Sequence, residues 1–456
     1  MAARPRTVLW FRRDLRLSDH PALLAAVHAA GADGEVLGLF CLDERLWGPS
    51  GTNRRWFLAG CLQALDEAMG GRLVVRRGDP VDVVPAVAAE VGAGEVFVTE
   101  DFGPYGSERD AAVAAALAGA GRSLERVGSP YAVPPGEVRT GVGRPYQVFT
   151  PFSKAWVAHG WPPPQPAPRA VRWAEVDGDG PVEAPAVAAE LPEPGEAAAK
   201  AAARRFWDQH LEGYEEQRDR PDLDATSRLS PYLKWGCIHP RQLLARLGAT
   251  RAEQRFRAEL CWREFYADVL HHRPESARRA LDPTMASMAV DGRGTAPRFR
   301  AWAEGRTGYP IVDAGMRQLL AEGWVHNRVR MLAASFLVKD LHLDWTRGAR
   351  HFMTHLVDGD LASNQHGWQW VAGTGTDASP WFRVFNPVTQ GERFDPDGAY
   401  VRRWVPELAE LPARWIHHPW DAPGGGPEGY PAPMVDHAEE RLEALRRYAD
   451  VRAARP

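Results

Sequence analysis

Glu259, Trp262 and Arg263 stand at i, i+3 and i+4, so on a helix a carboxylate, an indole and a guanidinium share one face. Such a face is either a polar pocket with a stacking wall or an amphipathic surface with an intrahelical Glu–Arg pair. Asn327, Arg330 and Met331 share a second face in WVHNRVRMLAASFL, and the apolar run after Arg330 predicts a buried helix. A buried guanidinium needs a carboxylate partner; Asp358 and Asp360, in LVDGDLASN, are the candidates. Trp368 and Trp370, in HGWQW, lie two apart and on a helix point in different directions. With Trp345 they are either core or an electron-hopping path beside a redox cofactor.

Hydrolytic and nucleotide-binding signatures are missing: there is no GxSxG, HExxH or Walker loop, and Gly141-Val142-Gly143 is a turn. His351 and His355 sit four apart without a third ligand, so a packed or solvated pair is expected and no metal. The four cysteines form no CxxC, which points to reduced buried thiols. The N-terminus lacks an apolar signal core and no apolar run suits a membrane span, so a cytoplasmic protein is expected. Residues 1–200 carry −5 and residues 201–456 carry +1, so a nucleic-acid partner must be met by a local basic patch.

The elements that must position these groups fall into two kinds. Residues 7–128 alternate apolar runs (Val8–Arg12, Val36–Leu42, Leu73–Arg76, Glu95–Thr99, Leu124–Val127) with helical stretches, which predicts an α/β, doubly wound parallel sheet. In such sheets ligands sit beyond the carboxyl ends of the strands. Residues 130–200, with WPPPQPAP, VDGDGP and ELPEPGE, form a connector. From 201 to 456 the pattern is helical, with segments over 200–217, 240–247, 253–271, 296–304, 310–323, 325–340, 346–357 and 361–372. The expected division is thus 1–129, 130–200 and 201–456.

Several long segments resemble the photolyase/cryptochrome family, and most of all class I cyclobutane pyrimidine dimer photolyases. They include VLWFRRDLRLSDHPAL at 8–23, TSRLSPYLKWG at 226–236 and ELCWREFYADVL at 259–270. RTGYPIVDAGMRQLLAEGWVHNRVRMLAASFLVKDLHLDW at 306–345, HLVDGDLASNQHGWQWVAGTGTD at 355–377 and FNPVTQGERFDPDGAYVRRWVPEL at 385–408 complete the match. The resemblance implies an N-terminal α/β antenna domain and an all-α domain holding FAD. It implies flavin contacts at Tyr214, Thr226, Ser227, Arg228, Leu229, Ser230, Arg263, Arg330, Asp358, Gly359, Asp360 and Asn364, with Asn364 near flavin N5. A dimer cavity is implied at Glu259, Trp262, Asn327, Met331 and Trp370, with flanking DNA phosphates at Arg218, Arg383, Arg402 and Arg403.

The implied reaction is light-driven: excited FADH⁻ gives an electron to a flipped-out dimer, the ring splits and the electron returns. The implied substrate is DNA containing pyrimidine dimers and the implied state a monomer. Arg54, Asp101 and Lys234 match positions that hold 8-hydroxy-5-deazaflavin in one branch; 5,10-methenyltetrahydrofolate is the alternative antenna.

Three tryptophans usually reduce the flavin in this family. Trp368 and Trp345 match the first two, but Gly292 stands where the third is expected, and Trp302 is the candidate for a branch path. Gln365-His366 also departs from the commoner Asn-Gly. Two competing functions are a (6-4) photolyase, which has His where this chain has Asn327 and Met331, and a cryptochrome-type blue-light flavoprotein.

Overall fold

The computed structural model describes residues 4–376 and 382–453. By contacts the chain forms two units. One comprises Met1–Val187, Pro192–Leu211 and Ser227–Pro274; the other comprises Ala188–Leu191, Glu212–Thr226 and Glu275–Pro456.

The first unit is built on five parallel strands, β1 (Arg6–Phe11), β2 (Glu35–Leu42), β3 (Leu73–Arg77), β4 (Glu95–Val98) and β5 (Ser123–Arg126), in the order β3-β2-β1-β4-β5. Val8 pairs with Leu37 on one side and Val96 on the other, and these residues are fully buried between helical layers. The direction of winding reverses between β1 and β4. The reversal places Arg12–Asp14 and Thr99–Asp101 beyond the carboxyl ends of two neighbouring strands. This is the doubly wound sheet expected from the alternation, and the strand limits differ from the expected ones by at most two residues.

The connector is more ordered than its composition suggests. It contains a helix, Phe149–His159, whose Phe152 and Trp156 are buried. The proline-rich run that follows it hides its apolar spacing in the sequence. Further along, Val36 N–H donates to Arg172 O (2.9 Å) and Ala174 N–H to Val36 O (2.9 Å), tying the connector to β2. The Glu196–Gln209 and Arg251–His272 helices group with the sheet, not with the remaining helices. Phe206 packs on Phe256 at 4.6 Å between ring centroids, and Glu196 accepts from Leu17 N–H at 2.7 Å.

The second unit is helical. Pro310–Glu322, Asn327–Ser335, Trp345–His355 and Leu361–Ala372 surround a core that includes Trp302, Met316, Leu337 and Phe352. Asp344 and Asp360 cap two of these helices, accepting from Thr346 N–H (2.7 Å) and Ser363 N–H (3.1 Å). The helix expected over 325–340 instead stops at Ser335 and continues as a π turn, Phe336–Asp340, a change of winding that apolar periodicity does not reveal.

Candidate active site

In the helical unit Arg330 faces Asp358, not Asp360. Its guanidinium donates to both carboxylate oxygens, at 2.9 and 3.3 Å, and to Val325 O at 2.7 Å. The Asp358 side chain is only 4% exposed, so the pair answers the requirement that a buried guanidinium find a carboxylate. Asp360 is instead the helix cap, two residues on, with Gly359 between them. Asn364 lies on the first turn of that helix. Its Nδ2 donates to Ala349 O (3.1 Å) and to Gln365 Oε1 (2.9 Å), while its Oδ1 accepts no hydrogen bond among the described residues. Tyr214 is buried, with the Arg218 guanidinium 5.8 Å from its ring.

Trp368 is buried and packs against the Trp345–His355 helix at Gly348, where an added Cβ would lie 2.2 Å from the indole. Trp302 meets Trp368 edge to face at 6.1 Å and donates its indole N–H to Ala333 O at 2.9 Å. It is fully buried, so Trp302 is not itself a surface terminus. Gly292 is exposed, with open space where a side chain would project. The His351 and His355 rings lie 4.5 Å apart, tilted by 54°, and burial pushes His351 down to about 4.

Asn327 is exposed at the first turn of its helix, and Met331 is half-buried one turn on. Trp370 is half-buried beneath the exposed Arg383, whose guanidinium lies 5.5 Å from the ring. Arg403 is exposed and pairs with Glu322 at 3.3 Å. The Arg402 guanidinium donates to the carbonyls of Asp397, Ala409 (3.1 Å) and Leu411 (2.8 Å), which ties it to the chain on either side.

In the sheet-containing unit Glu259 and Trp262 are half-buried on the Arg251–His272 helix. Arg263 has backbone carbonyls among its partners. It donates to Pro130 O and Leu233 O (3.2 Å each) and lies over Tyr131 at 4.5 Å. One face of the Trp262 indole is covered by Phe149, stacked at 3.6 Å and 6°. Phe149 is a residue that sequence reasoning missed, because it lies in the segment taken as connector. The same helix carries Glu264, which is almost fully buried and accepts from Ala132 N–H (2.6 Å), Val133 N–H (3.1 Å) and Trp156 Nε1–H (2.6 Å). In the Ser227–Ser230 loop, Arg228 has φ +48°, a left-handed conformation costing on the order of 1 kcal/mol for a non-glycine residue. Leu229 is buried there.

Arg54 is buried, Lys234 lies 5.2 Å from the Trp235 ring, and Asp101 lies beyond β4. Asp101 accepts from Gly103 N–H (3.0 Å) and Arg109 (3.3 Å). A Cβ on Gly106 would meet its carboxylate at 2.2 Å, so glycine is required for that approach. Burial pushes Asp101 up, but Arg12, Arg13 and Arg109 outweigh it and hold the carboxyl below its usual value. No group of three or more His, Cys, Asp or Glu suited to a metal occurs among the described residues. None of the described helices is long and apolar enough to cross a membrane.

Comparison with known proteins bears on what these groups serve. A model of DNA photolyase matches residues 7–169, and a model of the FAD binding domain of DNA photolyase matches 256–450. A Streptomyces griseus protein named deoxyribodipyrimidine photo-lyase is 43% identical over 95% of this chain and 97% of its own length. The Escherichia coli protein of that name is 39% identical over 98% of each. A bacterial class III photolyase from Agrobacterium tumefaciens superposes with a TM-score of 0.92 at 38% identity, covering 100% of this chain and 99% of its own. A Synechocystis cryptochrome superposes at 0.88 with 27% identity, over 98% of this chain and all of its own. With both family models matched in order and relatives near 40% identity along almost its whole length, this chain belongs to the DNA photolyase family.

Proposed function

We propose that this protein reverses cyclobutane pyrimidine dimers in DNA in a light-driven reaction with FAD as cofactor. The observation that carries the reading is the near-full-length match to relatives named deoxyribodipyrimidine photo-lyase. The residues fit a flavin: among the described residues the Asn364 oxygen accepts no hydrogen bond, and Arg330 and Asp358 are held as a pair. Tyr214, Thr226 through Ser230, Arg263, Arg330, Asp358, Gly359, Asp360 and Asn364 would hold it. Bound FAD supplies a light-driven one-electron donor, so no nucleophile is needed.

The chain's own residues then bind and orient the substrate. Photolyases act on bases taken out of the duplex. A dimer stacks poorly, and the flat faces of Trp262 and Trp370 replace the stacking that is lost. Glu259 would hydrogen-bond the damaged base, and Asn327 and Met331 would offer it polar and apolar contact. Arg383, exposed over Trp370, suits a phosphate beside the dimer, and Arg218 and Arg403 are further candidates. Arg54, Asp101 and Lys234 are assigned to an antenna, 8-hydroxy-5-deazaflavin in preference to methenyltetrahydrofolate. Extraction of a folate from the purified protein would overturn that choice.

Two experiments follow. In the dark, the purified monomer is expected to retain a dimer-containing duplex in preference to the undamaged duplex, and to release it on illumination; equal retention of both would overturn the reading. The electron that photoreduces the flavin is expected to pass in part from Trp302 through Trp368, so Trp302→Phe slows photoreduction in transient absorption. Unchanged fast reduction in that variant would remove Trp302 from the path.

A further inference from the structure

Two amides in series fix the direction of Asn364. Gln365 donates from Nε2 to Ala277 O at 2.6 Å and accepts at Oε1 from Asn364 Nδ2 at 2.9 Å. Asn364 Nδ2 also donates to Ala349 O at 3.1 Å. Both ends of this relay are backbone carbonyls, which only accept. Turning Gln365 over would set its oxygen against Ala277 O, and turning Asn364 over would set its oxygen against Ala349 O. Neither side chain can therefore reverse without losing its bond and creating an oxygen–oxygen repulsion. Asn364 has spent both of its N–H protons inside the protein, and its oxygen is what remains for a ligand.

The far end of the relay is itself anchored. Ala277 closes the Pro274–Ala277 turn, and Gln369, four residues beyond Gln365, donates to Ser276 O (2.8 Å) and accepts from Leu281 N–H (2.9 Å). Gln365 and Gln369 thus clamp the 276–281 segment along one helix face.

We propose that Gln365 is a positioning residue that locks the Asn364 carboxamide with its oxygen toward the ligand, so that the site selects a ligand atom bearing a proton. This rests on the reading that Asn364 faces flavin N5. Under it, the site favours the reduced ring, whose N5 carries a hydrogen, over the oxidised ring, whose N5 only accepts. Gln365 acts through Asn364 and touches no flavin atom itself.

The test is dark reoxidation of the photoreduced FAD-loaded protein in air, followed by flavin absorption, with FAD content and Tm measured alongside. Gln365→Met keeps the shape and removes both hydrogen bonds. It is expected to reoxidise roughly threefold to tenfold faster, the range set by one hydrogen bond. Gln365→Glu keeps an acceptor for Asn364 but sets an oxygen against Ala277 O, so it loses the anchor of the relay and is also expected to reoxidise faster than the wild type. In an Asn364→Leu background, Gln365→Met is expected to add nothing.

Wild-type reoxidation in Gln365→Met would overturn the proposal. So would an undiminished effect of that change in the Asn364→Leu background, or a Gln365→Glu protein that holds FAD yet reoxidises at the wild-type rate. A wild-type protein that binds no FAD would instead overturn the flavin reading itself.

Discussion

Glu264→Leu is expected to lower stability by about 4 kcal/mol, because it strands three buried donors that cost about 1–3 kcal/mol each. The carboxylate receives Ala132 N–H, Val133 N–H and Trp156 Nε1–H, at 2.6, 3.1 and 2.6 Å. None of these donors can turn to water without moving the 130–136 segment or the Phe149–His159 helix. For a chain of 456 residues the thermal midpoint should fall by about 4 °C, because an unfolding entropy of about 2.1 cal/mol/K per residue gives roughly 1 °C per kcal/mol. The effect reaches Trp262, since Phe149 rides on the helix that Glu264 anchors through Trp156.

The same residue gives a pH signature. Burial pushes Glu264 up to about 6, against the pull of its three donors. A carboxyl raised in the folded state contributes fully below its unfolded value near 4.5, and that contribution is lost as pH rises to about 6. The stability difference between wild type and Glu264→Gln cancels the other titrating groups. It should shrink by about 2 kcal/mol between pH 4.5 and 7, since each tenfold change in proton affinity is worth about 1.4 kcal/mol. A difference independent of pH would contradict the assignment.

Asp358→Ala is expected to leave the protein without flavin. Among the described residues, Arg330 would keep its hydrogen bond to the Val325 carbonyl, at 2.7 Å, and no carboxylate. Breaking a buried ion pair costs about 3–5 kcal/mol. The Arg330 side chain is 25% exposed, which favours the lower end, and about 3 kcal/mol is expected. Purified Asp358→Ala should show FAD affinity reduced by at least about tenfold, or 1.4 kcal/mol. The double variant Arg330→Met/Asp358→Leu separates fold from ligand. With both charges removed it should regain stability but not FAD. Flavin retention by the double variant would show the pair to be structural alone.

These effects show what the sequence made legible. The sheet was readable because Val8, Leu37 and Val96 lie in short apolar runs separated by helical spacing. The Arg330–Asp358 pair followed from burial alone, up to the choice between two aspartates. What the sequence hides depends on neighbours that only the fold brings close. The three carbonyls that meet the Arg402 guanidinium belong to segments on either side of its short helix. The Pro130 and Leu233 carbonyls that hold the Arg263 guanidinium are likewise far from it along the chain. Phe149 was hidden by the prolines after its helix. Gln365 had no account in the sequence, because its role needs Ala277 and Ala349, which are far apart along the chain.

The most direct measurement is the amount of intact thymine restored in a dimer-containing oligonucleotide by the purified, reduced, FAD-loaded protein, with and without light. Restoration is expected only under illumination, and Glu259→Ala should bind FAD normally yet repair far less per photon absorbed. Wild-type protein that binds FAD and dimer-containing DNA but restores no thymine under light would contradict the account.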